Sequence, residues 1–219
     1  MTKKTHLSLA IVLLFTFNLQ SQTIINTENL MKSVDSTLSI GFGVNGDFKF
    51  GNLELYQFNI TNQIGKKFDK HLIRLLFNYE YISENNEVLA SDYTAQLRYN
   101  YSLGNHSLFS FIQSQKSRAL SLNYRNLIGG GYRHNIYKKE RNYFDLSLGV
   151  FFENELYLKD TNDEVMVENY RVSLSSFFKV RVSKKSSINT SIYYQINIDN
   201  TEDIRLFIEP RWYYEFEKI

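Results

Sequence analysis

Asp92 to Leu103 alternates without a fault. Tyr93, Ala95, Leu97, Tyr99, Tyr101 and Leu103 fall on one side, and Asp92, Thr94, Gln96, Arg98, Asn100 and Ser102 on the other. Successive side chains of a strand point to opposite faces, so this period of two describes a strand with one apolar and one polar face. A helix repeats every 3.6 residues and would scatter the same residues around its surface.

The period recurs along the chain. It runs through Tyr56 to Ile64, Phe144 to Leu156, Tyr170 to Val182, Ile188 to Ile198 and Ile204 to Phe216. Leu38 to Phe48, His71 to Ile82, Leu108 to Gln115 and Leu122 to Ile136 carry it less strictly, which brings the strand count to about ten. The run Gly129-Gly130-Gly131 reads as a bend or bulge in one of these. Several segments exceed the roughly five or six residues of a globular strand and match the ~9–11 of a membrane-crossing one.

The polar face is rich in Gln, Asn, Ser and Thr, with Arg and carboxylates interspersed. A face turned to bulk water would usually carry Lys and Glu instead. This composition suits an enclosed lumen, with the apolar face toward lipid. Backbone groups in hydrocarbon must pair internally, which a closed barrel achieves. The predicted fold class is therefore all-β: an antiparallel up-and-down transmembrane β-barrel of about 10 strands. The 16 Tyr and 17 Phe fit the aromatic girdles of such a barrel. A net charge of +2 without a basic cluster argues against nucleic acid. The absence of Cys excludes disulfides, lipoprotein anchoring and thiolate metal sites.

The N-terminus opens with Lys3 and Lys4, an apolar run from Leu7 to Phe17, and a small, polar exit at Leu19-Gln20-Ser21-Gln22. That is the pattern of a cleaved secretory signal peptide, and the run is short of the ~20 apolar residues of a spanning helix. The expected organisation is a signal peptide over 1–22, a periplasmic lead-in over 23–36 and an outer-membrane barrel over 37–219. The expected partners are outer-membrane lipid and, during insertion, the barrel-assembly machinery. The oligomeric state is not encoded in the pattern.

With the N-terminus in the periplasm, even-numbered connections are periplasmic. They are predicted at Gly65–Asp69, Gly104–Asn105, Lys138–Asn142 and Ser183–Ser186, and are short and mostly basic. The odd ones include Ser83–Glu87, Lys159–Glu168 and Asp199–Asp203 and tend to be longer and acidic, the asymmetry expected of a bacterial barrel. The first, near Lys49 to Asn52, is short although odd.

These features resemble the YdiY-like family of small outer-membrane proteins of Gram-negative bacteria, a domain of unknown function. The segments that carry the resemblance are Leu97-Arg98-Tyr99-Asn100-Tyr101, Phe111-Ile112-Gln113-Ser114-Gln115, Arg125 to Arg133 and Phe152-Glu153-Asn154-Glu155. The resemblance implies an outer-membrane barrel and no established activity. Such proteins usually add one more hairpin and end on an aromatic residue, whereas this chain stops at Glu217-Lys218-Ile219. Twelve strands are implied if that hairpin is missing here.

The candidate lumen-lining residues are Arg98, Arg125, Arg133, Glu153, Glu155, Arg171, Arg181, Arg205, Glu209 and Arg211. Charges enclosed in a narrow barrel must pair. The ladder is either structural filling or the wall of a solute path or ligand pocket. Glu153 and Glu155 share a face, but no sugar-binding aromatic groove accompanies them as a glycosidase pair would want. His71, His106 and His134 have no convincing Ser partner and read as turn or interface residues. Asp160, Asp163 and Glu164 form an acidic loop without an EF-hand pattern. No catalytic, cofactor or metal residues are assigned. The expected role is non-enzymatic: a structural or porin-like small-solute barrel with a charged, largely plugged lumen. The alternatives are a barrel enzyme acting on lipid or envelope polymer, and a soluble secreted β-barrel binding a small ligand.

Overall fold

The computed structural model describes residues 37–140, 142–158 and 163–216. The expected signal peptide, the lead-in and the terminal Glu217–Ile219 lie outside the described residues. Ten strands follow one another: β1 Leu38–Lys49, β2 Leu55–Phe68, β3 His71–Glu84, β4 Glu87–Leu103, β5 His106–Ser117, β6 Leu122–Lys139, β7 Asn142–Leu158, β8 Glu164–Arg181, β9 Ser186–Asn197 and β10 Ile204–Tyr214. They form one sheet in sequence order, each strand antiparallel to the next. The all-β, up-and-down architecture and the count of ten agree with the alternation. Among the described residues the ladders join successive strands, and none joins β1 to β10.

The sheet is strongly curled. On a flat sheet β10 would lie about 14 Å from β7, three spacings of ~4.8 Å. Yet Arg205 on β10 reaches Glu153 on β7 at 2.8 Å. Likewise the Arg133 guanidinium on β6 sits 4.3 Å from the Phe177 ring centre on β8. Side chains meet across the concave side because the strands bend around it, as in a barrel wall.

The two faces have opposite polarity, and the sense is inverted relative to a water-soluble domain. Ile40, Val44, Leu97, Ile112, Ile128, Leu148, Val150, Leu174 and Leu206 are exposed on the convex side. Gln96, Gln113, Gln115, Arg125, Glu153, Glu155 and Arg171 are buried on the concave side. Soluble interiors select apolar side chains and leave charges outside. Aromatics gather toward both strand ends. Phe48 and Phe50 pack edge-on against Tyr56 at one end, and Trp212, Tyr214 and Phe216 pack together at the other. Pro210, the only proline, lies on β10, at the end of the strand order, where a missing N–H is tolerated.

Two local expectations need correction. The connections are tighter than the sequence suggests. Gly65 to Phe68 belong to β2, leaving Asp69 and Lys70 as the turn. The predicted loop Ser83–Glu87 shrinks to Asn85-Asn86, with φ of 47° and 67°. Two successive positive φ values suit a tight primed hairpin turn, and asparagine tolerates them. The remaining odd connections, 50–54, 118–121, 159–163 and 198–203, are longer than the two-residue turns at 69–70 and 104–105.

The glycine run is not a bulge. Register passes through Gly129, Gly130 and Gly131 unbroken, and the irregularities fall at Leu122/Tyr124 and Asn135/Tyr137. The glycines answer to crowding instead. A Cβ on Gly130 would lie 2.8 Å from the Phe109 carbonyl oxygen, and one on Gly131 would lie 2.6 Å from the Gly149 Cα and clash with the Leu148 carbonyl. Gly131→Ala should therefore destabilise the fold by about 1–3 kcal/mol, the usual cost of overpacking. Gly43→Ala, where a Cβ meets nothing within 4 Å, should cost far less. Denaturant unfolding of the refolded variants checks the contrast, and equal losses would contradict it.

Candidate functional site: a buried ionic cluster beside an inner cavity

Glu153 and Glu155 are two apart on β7, so both point to the concave side. Asn169 on β8 lies opposite Glu153, and Arg171 lies one diagonal step away. Arg125 on β6 is the register partner of Glu155. Strand pairing thus delivers these groups to one place, and the curl adds Arg205 from β10.

The Glu153 side chain has 0% of its surface exposed. Arg171 Nε donates to its Oε1 at 2.5 Å. Arg205 spans it, with Nη1 to Oε2 at 2.8 Å and Nη2 to Oε1 at 3.0 Å. Asn169 donates a further bond at 3.1 Å. Glu155 pairs with Arg125 and accepts from Arg205 at 3.4 Å. Arg125 also donates to the Tyr157 hydroxyl at 3.2 Å. Arg171 continues to Asp203, in the connection between β9 and β10. Asn197 links Asn169 to Asp203 at 2.8 and 3.4 Å. Three guanidiniums therefore meet three carboxylates in one network over β6, β7, β8 and β10.

The ten predicted residues separate by position. Arg98, Arg125, Arg133, Glu153 and Arg205 line one cavity between β4 and β10. Glu155 and Arg171 are buried within the ion network. Arg211 pairs with Glu209 along β10 at 2.5 Å, both partly exposed. Arg181 is exposed at the strand end and donates to the Ser183 and Lys184 carbonyls. Alternation puts these residues on one face of their strands and does not distinguish the middle of a strand from its rim.

Sequence reasoning missed the aromatic wall of this cavity. Phe109, Phe111, Phe151, Phe177 and Tyr193 line it, from positions the alternation assigns to polar side chains. A signal existed. Phe151-Phe152, Phe177-Phe178 and Tyr193-Tyr194 are doublets, with one member for each face. Arg98 sits 4.4 Å from the Phe109 ring centre, as Arg133 does over Phe177.

The histidines stand elsewhere. His71 stacks on Phe68 and contacts the Tyr99 hydroxyl at 2.7 Å, while His106 stacks with Tyr132 and His134. These are strand-end aromatic clusters outside the cavity. Among the described residues no group of three or more His, Cys, Asp or Glu could hold a metal. Asp160 lies outside the described residues.

Breaking a buried ion pair strands the remaining charge. Arg171→Met should cost about 3–5 kcal/mol on that ground, whereas Arg211→Met, at a half-exposed pair, should cost under about 1 kcal/mol. Urea titration of both variants measures the difference.

Asp203 adds a pH dependence. Burial pushes its carboxyl up, but the hydrogen bond and charge of Arg171, with Asn197 and Arg205, hold it below its ordinary 3.8. A depressed carboxyl stabilises the fold fully above its unfolded value, and loses that contribution as pH falls through the folded value. Stability should thus drop in acid below about pH 4, and Asp203→Asn should flatten that part of the profile. An unchanged profile in the variant would remove the assignment.

No curated protein and no solved structure matches the chain. A family model described as "Protein of unknown function, DUF481" matches residues 46–212. YdiY-like outer-membrane β-barrel proteins belong to that family, in line with the resemblance in the sequence. With well over half of its length matched, the chain belongs to the DUF481 family, whose function is unknown.

Proposed function

We propose that the protein is an outer-membrane β-barrel, exported through a cleaved signal peptide, that is non-enzymatic and carries a largely plugged, charged lumen. The observation that carries this reading is the inverted polarity of the sheet: an apolar, exposed convex face around a buried ionic interior. An exposed apolar surface of that extent is costly in water and favourable in lipid. Aromatic clusters at both strand ends fit the two membrane interfaces.

Plugging rests on the salt-bridge network. Arg205 and Glu153 tie β10 to β7 directly across the concave side, in the space an open pore would need for water. The structural role is favoured over a wide channel for that reason. A non-enzymatic role is supported by the histidines, which contact rim aromatics and one another rather than the buried carboxylates.

Two measurements test the reading. In planar bilayers the folded protein should pass no sustained large-pore current, and a steady open conductance would contradict plugging. In lipid vesicles Leu148→Arg, which places a charge in the middle of the convex face, should lower stability by about 2–4 kcal/mol. A neutral effect would mean that this face does not meet hydrocarbon.

A further inference from the structure

The two ends of the sheet carry opposite charge. Antiparallel order puts the connections after β2, β4, β6 and β8 at one end, with the start of β1 and the finish of β10. That end bears Lys66, Lys67 and Lys70 around one turn, Lys138 and Lys139 before another, and Lys184 and Lys185 in a third. The opposite end bears Glu54, Glu84, Glu87, Glu164, Asp199 and Glu202, with Lys49, Lys116 and Arg118 in the minority.

Aromatic side chains stand level with the basic residues. Phe68 is exposed beside Lys67, and Tyr137 beside Lys138. Trp212 is exposed on the convex face and donates from Nε1 to the Ser186 hydroxyl, at the close of the third turn, at 2.7 Å. Trp and Tyr gather where hydrocarbon gives way to headgroups. In a barrel held at that depth, the lysines lie among the lipid phosphates.

The most enclosed part of this rim is a pocket of about 80 Å³ at the β8–β9 turn. A single water needs roughly 10–15 Å³ on this measure, so the space admits a phosphate group. Its lining sets Lys179, Arg181, Lys184 and Lys185 against a single carboxylate, Glu215. Arg181 donates to the Ser183 and Lys184 carbonyls at 3.2 and 2.7 Å. Carbonyls fix the guanidinium in place without neutralising it. Among the described residues no carboxylate pairs with Lys179, Arg181 or Lys184. Three like charges at one turn repel one another, and an anion among them relieves that repulsion.

Two features favour a lipid over a free anion. Ser186 both lines the pocket and holds Trp212, so the pocket and the apolar face meet at one residue. Register then sets Trp212 beside Ile188 and Ile188 beside Val180, an exposed apolar row across β10, β9 and β8. A phosphate at the turn with acyl chains along that row has the shape of a phospholipid. An inorganic anion would use the pocket alone.

We infer that the β8–β9 turn of the basic rim binds anionic phospholipid, its phosphate at Lys179, Arg181 and Lys184 and its acyl chains against Val180, Ile188 and Trp212. Basic clusters at a membrane surface recognise anionic headgroups in this way. The inference rests on the reading of the protein as a membrane barrel, and adds which lipid the barrel prefers and at which end.

Trp212 is the only tryptophan, so its fluorescence reports on this site. The full chain is refolded into phosphatidylcholine vesicles that hold an equal small fraction of brominated phosphatidylglycerol or brominated phosphatidylcholine, bromine being a contact quencher. Quenching should favour phosphatidylglycerol by about fivefold, the effect of one basic residue beside an anionic surface. Lys179→Gln combined with Lys184→Gln should bring the ratio near one, and Lys179→Arg with Lys184→Arg should keep it. Lys116→Gln, which removes a charge at the opposite end, should leave it unchanged. Heat-modifiable gel mobility shows that each variant folds. Equal quenching by the two lipids, or a ratio unchanged in the double Gln variant, overturns the assignment. Inorganic phosphate that abolishes the preference, where chloride of the same ionic strength does not, reduces the site to an anion cluster and overturns it too. Equal quenching in a protein that passes no current defeats the lipid site alone. No quenching by either lipid defeats the barrel reading with it.

Discussion

A carboxylate with no surface in water cannot stay charged without donors, and Glu153 has four hydrogen bonds from three residues. Those donors come from β8 and β10, while the acceptor is on β7. The bonds therefore do two things at once. They satisfy a charge that would otherwise cost several kcal/mol, and the two from Arg205 tie β10 to β7, which are not neighbours in the ladder. Arg171 passes the constraint on to Asp203, and Arg205 passes it to Glu155 and so to Arg125. The curl of the sheet and the polarity of its interior depend on this network.

The polarity of the faces follows from the same arrangement. A concave side crowded with guanidiniums, carboxylates and amides, with a few aromatic rings between them, leaves most aliphatic side chains the convex side. A water-soluble chain would place them the other way round. Aliphatic residues such as Ile112, Ile128 and Val150 occupy mid-strand positions of the convex face, and Trp212 and Tyr214 the strand end. Backbone groups along the face are satisfied by the ladder, and side-chain polarity then only has to match the medium outside.

Much of the fold is legible in the sequence because a period of two is a local property. Asp92 to Leu103 needs no partner to announce itself as a two-faced strand, and all ten strands are found where such runs occur. The charged members of the site are legible for the same reason: Arg98, Glu153 and Arg205 fall in the polar register of their strands. What could not be read depends on neighbours far along the chain. The glycine run looked like a bulge, but its meaning is the close approach of Phe109, Val150 and Phe151. Arg181 and Arg171 are indistinguishable by alternation, yet one is at the rim and the other has no exposed surface. Phe109, Phe111 and Phe177 fall at polar-face positions because the cavity needs a wall, which no single strand records. Asn85-Asn86 closes a turn with two positive φ values, and a charged neighbourhood made it resemble a longer loop.

The central claim is that the convex face meets lipid while the concave face is sealed from it. Single cysteines introduced along β7 from Leu146 to Phe152, in a chain that has none of its own, can carry nitroxide labels in the reconstituted protein. The account predicts collision with oxygen, which concentrates in lipid, at 146, 148, 150 and 152, and protection at the positions between them. Water-soluble nickel complexes reaching the even positions as freely as oxygen, or an accessibility profile without a period of two, would contradict it.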